Sequence, residues 1–210
     1  MDRVRVTSTA ELAGAGLPLD RPVLVLVGGA ARMDRADVEA LALVLRDLVP
    51  LLDECGAAVV DGGTDVGVMR AAGLARAAAG GAFPLIGVAA EVAADVAAFE
   101  PNHTHLVLVP GGTWGDESPW LAEVAGVVAG SRPSLTVLVN GGAISFEDAE
   151  HSLGHNRPLV VLRGSGRTAD AIAEGADERS TAIVTSPLTT VLGYDELPAH
   201  VDRVLRDGDR

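Results

Sequence analysis

Short runs of valine and leucine recur along the chain, and most lead into glycine and then into a helix-forming segment. The first run, RPVLVLVGG at Arg21–Gly29, is apolar without alternation, which is typical of a strand buried on both faces of a parallel sheet. Similar runs are AAVVDGG, PLIGVAA, THLVLVPGG, SLTVLVNGG and RPLVVLRGSG. Strand–loop–helix units without a linker between them predict an α/β fold, namely a Rossmann-like, doubly wound, mainly parallel sheet with helices on both faces.

The segments between these runs have the spacing of helices. Apolar residues recur every three to four positions from about Asp34 to Asp53, and the segment 118–130 starts with Ser118 as a predicted N-cap. Further helices are predicted over 64–81 and 145–153, from Arg167 onwards, and over 199–206, with a small strand at TAIVT, 181–185. We expect a single domain over 1–210, with a core at about 20–176, an N-terminal extension at 1–19 and a C-terminal tail at 177–210.

Charge and composition exclude several classes of function. The formal net charge is −13 and lysine is absent, which argues against nucleic acid or an anionic membrane as a partner. The absence of lysine also excludes a Walker-type phosphate lysine and a lysine Schiff base. Cys55 is the only cysteine, so a cysteine metal cluster is impossible. No apolar run has the length of a signal peptide core or a membrane span, and a cytoplasmic protein is expected.

Glycine-rich turns follow five of the predicted strands. These turns are VGGA at 27–30, DGGTDVG at 61–67, PGGTWGDE at 110–117, NGGAIS at 140–145 and RGSGRTAD at 163–170. In a parallel sheet they all emerge at the carboxyl edge of the strands, where open α/β sheets bind ligands. Glycine lets a ligand approach the backbone, and the helix that follows presents N–H donors that suit a phosphate. None of the turns matches the dinucleotide fingerprint or the P-loop.

Six motifs in a fixed order resemble one known family. DGGTDVGVMRAAG, FPLIGVA, EPNHTHLVLV, WGDESPWL, NGG and RPLVVLRGSGRTAD are similar to segments of the SLOG superfamily. The resemblance is greatest to the branch that joins stand-alone prokaryotic proteins with the N-terminal cytosolic region of melastatin-type transient receptor potential channels. It covers about Pro22–Glu174.

The resemblance implies a Rossmannoid domain that binds a small-molecule nucleotide derivative, with ADP-ribose the ligand of some channel members. No cofactor and no metal is expected, and the enzymatic relatives make a homodimer plausible. Asp65 is expected either to face ribose hydroxyls or to complement the dipole of the following helix. The predicted ligand-binding residues are Gly28, Gly29, Gly62, Gly63, Thr64, Asp65, Gly67, Met69, His103, Gly141, Gly142, Gly164, Ser165, Gly166 and Arg167.

A more distant branch offers an enzymatic alternative. The cytokinin-activating phosphoribohydrolases carry P-G-G-x-G-T-x-x-E, whose glutamate takes part in cleaving the N-glycosidic bond of a nucleoside monophosphate. The matching stretch here is NGGAISFED, in which Asn140, Ile144, Ser145 and Asp148 replace the proline, third glycine, threonine and glutamate. If the chain is an enzyme, Asp148 or Glu147 is the expected acid/base residue.

Two other features leave alternatives open. His103 and His105 could form a two-histidine, one-carboxylate metal site with Asp116 or Glu117, although hydrogen bonding at the entry to a strand is the more usual role. Trp114 lies between glycines in a predicted loop, where it could stack on a base or cover the edge of the sheet.

Overall fold

The computed structural model describes residues 1–30 and 32–207 as one eight-stranded sheet with helices on both sides. The strands are β1 (Asp2–Arg5), β2 (Val23–Gly28), β3 (Ala58–Asp61), β4 (Leu85–Ala90), β5 (His105–Val109), β6 (Ser134–Val139), β7 (Leu159–Leu162) and β8 (Thr189–Leu192). They pair in the order β1-β5-β4-β3-β2-β6-β7-β8, and every pairing is parallel. The predicted fold class is therefore confirmed.

The helices divide into two layers with separate apolar cores. They are α1 (Arg35–Glu54), α2 (Gly67–Ala79), α3 (Ala93–Val96), α4 (Ser118–Ala129), α5 (Ala143–Gly154), α6 (Arg167–Glu174), α7 (Glu178–Val184) and α8 (Leu197–Asp207), with a 3-10 helix at Thr9–Gly14. One core packs helices α1, α2 and α8 against one face of the sheet. The other core packs helices α4, α5, α6 and α7, together with the 3-10 helix, against the opposite face. The central strands need apolar side chains on both faces of the sheet, because each face is covered by a layer of helices.

Several element boundaries follow from local capping. Asp34 precedes α1 and accepts a hydrogen bond from the Asp37 N–H at 2.9 Å, as expected for an N-cap aspartate. Gly80 ends α2 in the left-handed conformation, with φ 68°. The predicted cap of α4 was wrong by one residue, because Ser118 is the first helical residue and Glu117 is the N-cap.

The two ends of the chain differ from the expectation. The segment 181–185, predicted as a strand, lies within and directly after α7. The carboxylate of Asp177 accepts the Ser180 N–H at 2.7 Å and starts that helix, so the capping interaction overrides the β-branched composition. The strands β1 and β8 were not predicted, and they form the two edges of the sheet.

The order of the strands reverses beside β2, and a ligand site is expected at the carboxyl edge of the sheet next to this reversal. Chain connections run from β2 through β3 and β4 to one side, whereas β6 and β7 lie on the other side. At the end of β2, a Cβ atom on Gly28 would lie 1.8 Å from the Val139 carbonyl oxygen, so only glycine fits there. The start of α2 approaches the same loop, and a Cβ atom on Gly67 would lie 1.9 Å from the Gly29 oxygen. Within the described residues, no helix is both long and apolar enough to cross a membrane.

Candidate functional site

A cavity of about 530 Å³ opens at the carboxyl edge of the strands, beside the point where the strand order reverses. This is the position at which open α/β sheets bind ligands. The described residues that line it are Leu26, Val27, Gly28, Ala30, Gly62, Thr64, Asp65, Val66, Met69, Ala89, Val96, Ala97, Ala98, Trp114, Glu117, Leu121, Ile144, Ser145 and Asp148. Its walls come from both helical layers, since Met69 belongs to one apolar core and Leu121 to the other.

The structure brings part of the predicted residue set together in this cavity. The predicted residues that line it are Gly28, Gly62, Thr64, Asp65, Met69 and Asp148. Gly29, Gly63 and Gly67 lie directly beside lining residues and shape the backbone. Glu147, the other predicted acid/base residue, is exposed on α5 and does not line the cavity. Ligand contact by any of these residues stays a prediction.

The turn after β3 already uses many of its own N–H groups. The Gly63 N–H donates to Asp61 Oδ1 at 2.7 Å, the Asp65 N–H to the Ala98 carbonyl and the Val68 N–H to the Gly29 carbonyl. A ligand phosphate at this turn would therefore depend on the remaining backbone groups and on the Thr64 hydroxyl. The N–H groups of Gly63, Asp65 and Val68 are therefore not free to bind a phosphate in this structure, although the sequence predicted that the turn as a whole would do so.

Beneath this turn, His103 lies between two buried carboxyl groups. Its Nε2 is 2.8 Å from Asp61 Oδ1 and its Nδ1 is 2.9 Å from Glu100 Oε2. Burial by itself would lower the pKa of His103, but the two carboxyl groups outweigh it and raise the pKa to about 10. The ring is therefore an imidazolium at neutral pH, and it fixes the carboxyl group that receives the Gly63 N–H.

The position of His103 also determines whether a ligand in the cavity could reach it. The side chain of His103 is fully buried, and it does not line the cavity. Glu100 is accommodated by Gly73 of α2, where a Cβ atom would lie 2.0 Å from the carboxyl carbon. His105 is occupied differently, because its Nδ1 lies 2.7 Å from the Thr104 hydroxyl. Among the described residues, no group of three or more His, Cys, Asp or Glu side chains could hold a metal ion.

The loops after β6 and β7 bind each other instead of lining the cavity. The Asn140 N–H donates to Ser165 Oγ at 2.8 Å, and the Asn140 side-chain amide donates to the Ser165 carbonyl at 2.7 Å. Gly164 and Gly166 donate their N–H groups to Asp170. The other predicted residues of these loops, Gly141, Gly142 and Arg167, lie next to this contact, with the Arg167 guanidinium beside Gly142.

Asp65, the carboxylate for which two roles were open, is paired with an arginine. Its Oδ1 accepts a hydrogen bond from Arg70 Nε at 2.8 Å, one turn into α2. This bond raises the pKa of the Arg70 guanidinium. The pair offsets one negative charge at the wall of the cavity and leaves further guanidinium N–H groups of Arg70 as donors.

On the opposite side, two carboxyl groups that have no basic partner among the described residues face the cavity. Ser118 Oγ donates a hydrogen bond to Asp148 Oδ1, and the Gly115 N–H donates to Glu117 Oε2 at 3.0 Å. Burial raises the pKa of Asp148 to about 7, with a smaller contribution from the nearby Glu117. Burial also raises the pKa of Glu117. The NGGAISFED motif indicated Asp148 as an acid/base residue, whereas Glu117 was considered only as a possible metal ligand. Their shared position at the cavity was not predicted, since α4 and α5 are brought together only by the fold.

Trp114 lies at the wall of the cavity with half of its surface exposed (51%). The carboxylate of Asp116 holds its loop by accepting the N–H groups of Gly112 and Thr113 at 2.8 and 3.0 Å. Val96, exposed to 68%, lines the same cavity from α3 and was not anticipated from the sequence. The cavity therefore presents exposed apolar surface as well as carboxyl groups.

The fold and the cavity define a Rossmann-like ligand-binding domain of the doubly wound α/β class. The chain belongs to the family described as SLOG in TRPM, prokaryote, whose model matches residues 21–203. The resemblance found from the six sequence motifs is thereby confirmed.

Relatives with curated names are ion channels. Transient receptor potential cation channel subfamily M member 2 of Mus musculus is 26% identical over 204 residues, as is the Rattus norvegicus protein. Each alignment covers 75% of this chain and only 14% of the channel, so the similarity concerns a small part of those proteins.

Solved structures with the same fold include two proteins named for the molybdenum cofactor. The carrier protein of Chlamydomonas reinhardtii superposes with a TM-score of 0.60 at 20% identity, over 88% of this chain and 98% of that one. The binding protein of Rippkaea orientalis gives a TM-score of 0.63 at 12% identity, over 88% and 97% of the two chains. At these identities the likeness shows the fold alone.

Replacing His103 by glutamine should destabilise the protein in a pH-dependent way. Breaking a buried ion pair by removing one partner costs about 3–5 kcal/mol. Because the folded pKa is raised above the ordinary 6.5, the stabilisation by His103 is complete below pH 6.5 and is lost as the pH rises towards about 10. Urea unfolding of the wild type and His103→Gln should show a difference in unfolding free energy that shrinks over this interval.

The control for this prediction is His105→Gln, which changes a half-buried histidine two residues away. It should cost less and lack the same trend with pH. A His103→Gln effect that stays constant with pH would show that His103 is neutral in the folded protein.

Replacing Asp148 by asparagine should stabilise the protein. The folded pKa of about 7 lies above the ordinary 3.8, so the wild type loses stability as the pH rises from 3.8 to 7 and the loss is constant above that. Asparagine keeps an acceptor for Ser118 but cannot ionise, and the gain at pH 7 should be about 1–4 kcal/mol. Urea unfolding from acidic to neutral pH measures it, with the exposed Glu147→Gln as the control. A gain of equal size at pH 4 would contradict the raised pKa.

Proposed function

We propose that this domain binds a nucleotide derivative in the cavity and acts as a ligand sensor, with ADP-ribose or another NAD metabolite as the ligand. The observation that carries the proposal is the position of the cavity at the carboxyl edge, where Gly28 and Gly62 end adjacent strands and the first turn of α2 begins. Clefts that bind small molecules have volumes of roughly 300–1,000 Å³, and about 530 Å³ falls within that interval.

The polar groups on the α2 side of the cavity suit the anionic part of such a ligand. The Thr64 hydroxyl and the first turn of α2 supply donors and a partial positive charge. Arg70 lies in the same turn, and one of its N–H groups already binds Asp65. Family membership and the similarity to the channel region support the same ligand class, which the sequence resemblance also implies.

Calorimetric titration with ADP-ribose, NAD, AMP and a cyclic dinucleotide tests the proposal. We expect ADP-ribose to bind, and Trp114→Ala to weaken that binding about 10-fold or more, because stacking on a base is worth about 1–3 kcal/mol. Leu74→Ala is the matched control, since Leu74 is an apolar side chain of similar exposure (43%) that does not line the cavity. The absence of heat and of thermal stabilisation for every compound would reject the proposal.

A second candidate function is hydrolysis of a nucleotide N-glycosidic bond. The specific observation in its favour is Asp148, a cavity carboxyl group whose pKa of about 7 suits proton donation near neutral pH. The carboxyl group would protonate the departing base as the N-glycosidic bond breaks and water adds to the ribose carbon, and the proton lost by that water would return to the carboxylate. A positioned general acid typically increases the rate of such a reaction by about 10²–10⁴-fold.

Incubating AMP with the protein and measuring ribose 5-phosphate tests this second candidate. If the chain is a hydrolase, Asp148→Asn should abolish product formation, whereas Glu147→Gln should retain it because Glu147 is exposed outside the cavity. Binding of AMP without release of ribose 5-phosphate would support the sensor and reject the hydrolase.

A further inference from the structure

The two sides of the cavity differ in chemistry, and this difference constrains how a ligand can lie in it. The α2 side consists of Gly62, Thr64, Asp65, Val66 and Met69. The α4–α5 side consists of Trp114, Glu117, Leu121, Ile144, Ser145 and Asp148. All of these residues line the cavity. The ionisable side chains among the described lining residues are all acidic, and only the one on the α2 side is paired with an arginine.

On the α4–α5 side, the carboxyl groups have acceptors left for a ligand. Hydrogen bonds within the protein occupy Oδ1 of Asp148, through Ser118, and Oε2 of Glu117, through the Gly115 N–H. Each carboxyl group has a second oxygen, and an ionised carboxylate is a pure acceptor. A ligand group that carries N–H donors can therefore bind there, whereas a phosphate or a ring carbonyl would lie against negative charge.

Trp114 adds a flat apolar surface on the same side. Its loop is tied by Asp116 and packs on α5, because a Cβ atom on Gly115 would lie 3.2 Å from Ile144. An exposed indole beside carboxyl acceptors matches a planar heterocycle, which stacks through its face and donates hydrogen bonds from its edge. Neither surface alone would select such a ring, but the two together do.

We infer that the α4–α5 side binds a heterocyclic base through its N–H donors, with the anionic part of the ligand directed to the α2 side, so that amino-bearing bases are selected over bases with a carbonyl in the same position. This inference rests on the proposed binding of a nucleotide. It adds the orientation of the ligand in the cavity and the side chains that would select its base, which the cavity volume does not specify.

The charges around Asp148 make the direction of proton exchange informative. The negative charges of Glu117, at the N-cap of α4, and of Glu147, beside Asp148 on α5, both raise the pKa of Asp148. Across the cavity, the charge of Asp65 is offset by Arg70. N–H donors bind an ionised carboxylate more strongly than a protonated carboxyl group, so binding of such a base near pH 7 should favour the ionised form of Asp148 and release protons. A phosphate on the same side would instead cause proton uptake.

Two matched ligand pairs test the inference: AMP with IMP, and ADP-ribose with its hypoxanthine analogue. The members of each pair differ on one edge of the base: the adenine member has an exocyclic amino donor beside an N1 acceptor, and the hypoxanthine member has a carbonyl beside an N1–H donor. We expect the amino-bearing member to bind about 10- to 100-fold more tightly, as for a hydrogen bond to a charged group. Calorimetry in two buffers of different ionisation enthalpy should show proton release for that member.

The variant Glu117→Gln with Asp148→Asn should remove both the discrimination and the proton release. Glu147→Gln, which changes an exposed carboxylate outside the cavity, should keep the discrimination and should reduce the proton release only slightly, because Glu147 is the smallest of the contributions to the pKa of Asp148. Urea unfolding checks that the double variant is folded.

The outcomes separate this inference from the proposed function. Equal affinities within each pair, proton uptake, or no proton exchange would overturn the inference while leaving nucleotide binding intact. No binding of any compound to the wild type would reject the proposed function and the inference together. Discrimination that persists unchanged in the double variant would also overturn the assignment to these two carboxyl groups.

Discussion

The imidazolium of His103, held between the buried carboxyl groups of Asp61 and Glu100, organises the centre of this molecule. It joins the end of β3 to the segment before β5, and through Asp61 it fixes the turn that opens the cavity. One oxygen of this network, Asp61 Oδ2, is buried without a hydrogen bond among the described residues. Such a buried charged network is strongly destabilising when a partner is removed. The shape of the cavity wall thus depends on a buried group that does not itself line the cavity.

The cavity itself combines features that usually occur apart. Its position and its glycine-lined edge are those at which open α/β sheets bind ligands, yet the described ionisable groups that line it are carboxyl groups. Arg70 compensates Asp65, and burial moves the pKa of Asp148 to about 7. A protein with a formal net charge of −13 can therefore accept an anionic ligand only where its own negative charge is paired or protonated.

Much of the fold was predictable because the central strands are continuous apolar runs, and these runs end in glycine. The edge strands β1 and β8 were missed because they are short and half-exposed, so they carry no such run. The segment 181–185 has the composition of a strand, but a capping aspartate makes it helical.

The site was predictable only where it follows the chain locally. Gly62, Thr64 and Asp148 lie in motifs, and the structure brings them to one cavity. His103 was predicted as a ligand contact, but the structure places it in the core, where its partners come from β3 and from Glu100. Glu117 and Asp148 come to the same cavity because α4 packs against α5, and no local sequence pattern predicts that contact.

The two edge strands have a consequence for association between molecules. A sheet edge offers unpaired N–H and C=O groups to any other strand, and short edges with charged side chains limit this. β1 is four residues long and reads Asp-Arg-Val-Arg, and β8 is equally short. The long apolar strands that would aggregate most readily are thus kept inside the sheet. The edge strands β1 and β8, none of whose residues lines the cavity, shield the inner strands from other molecules.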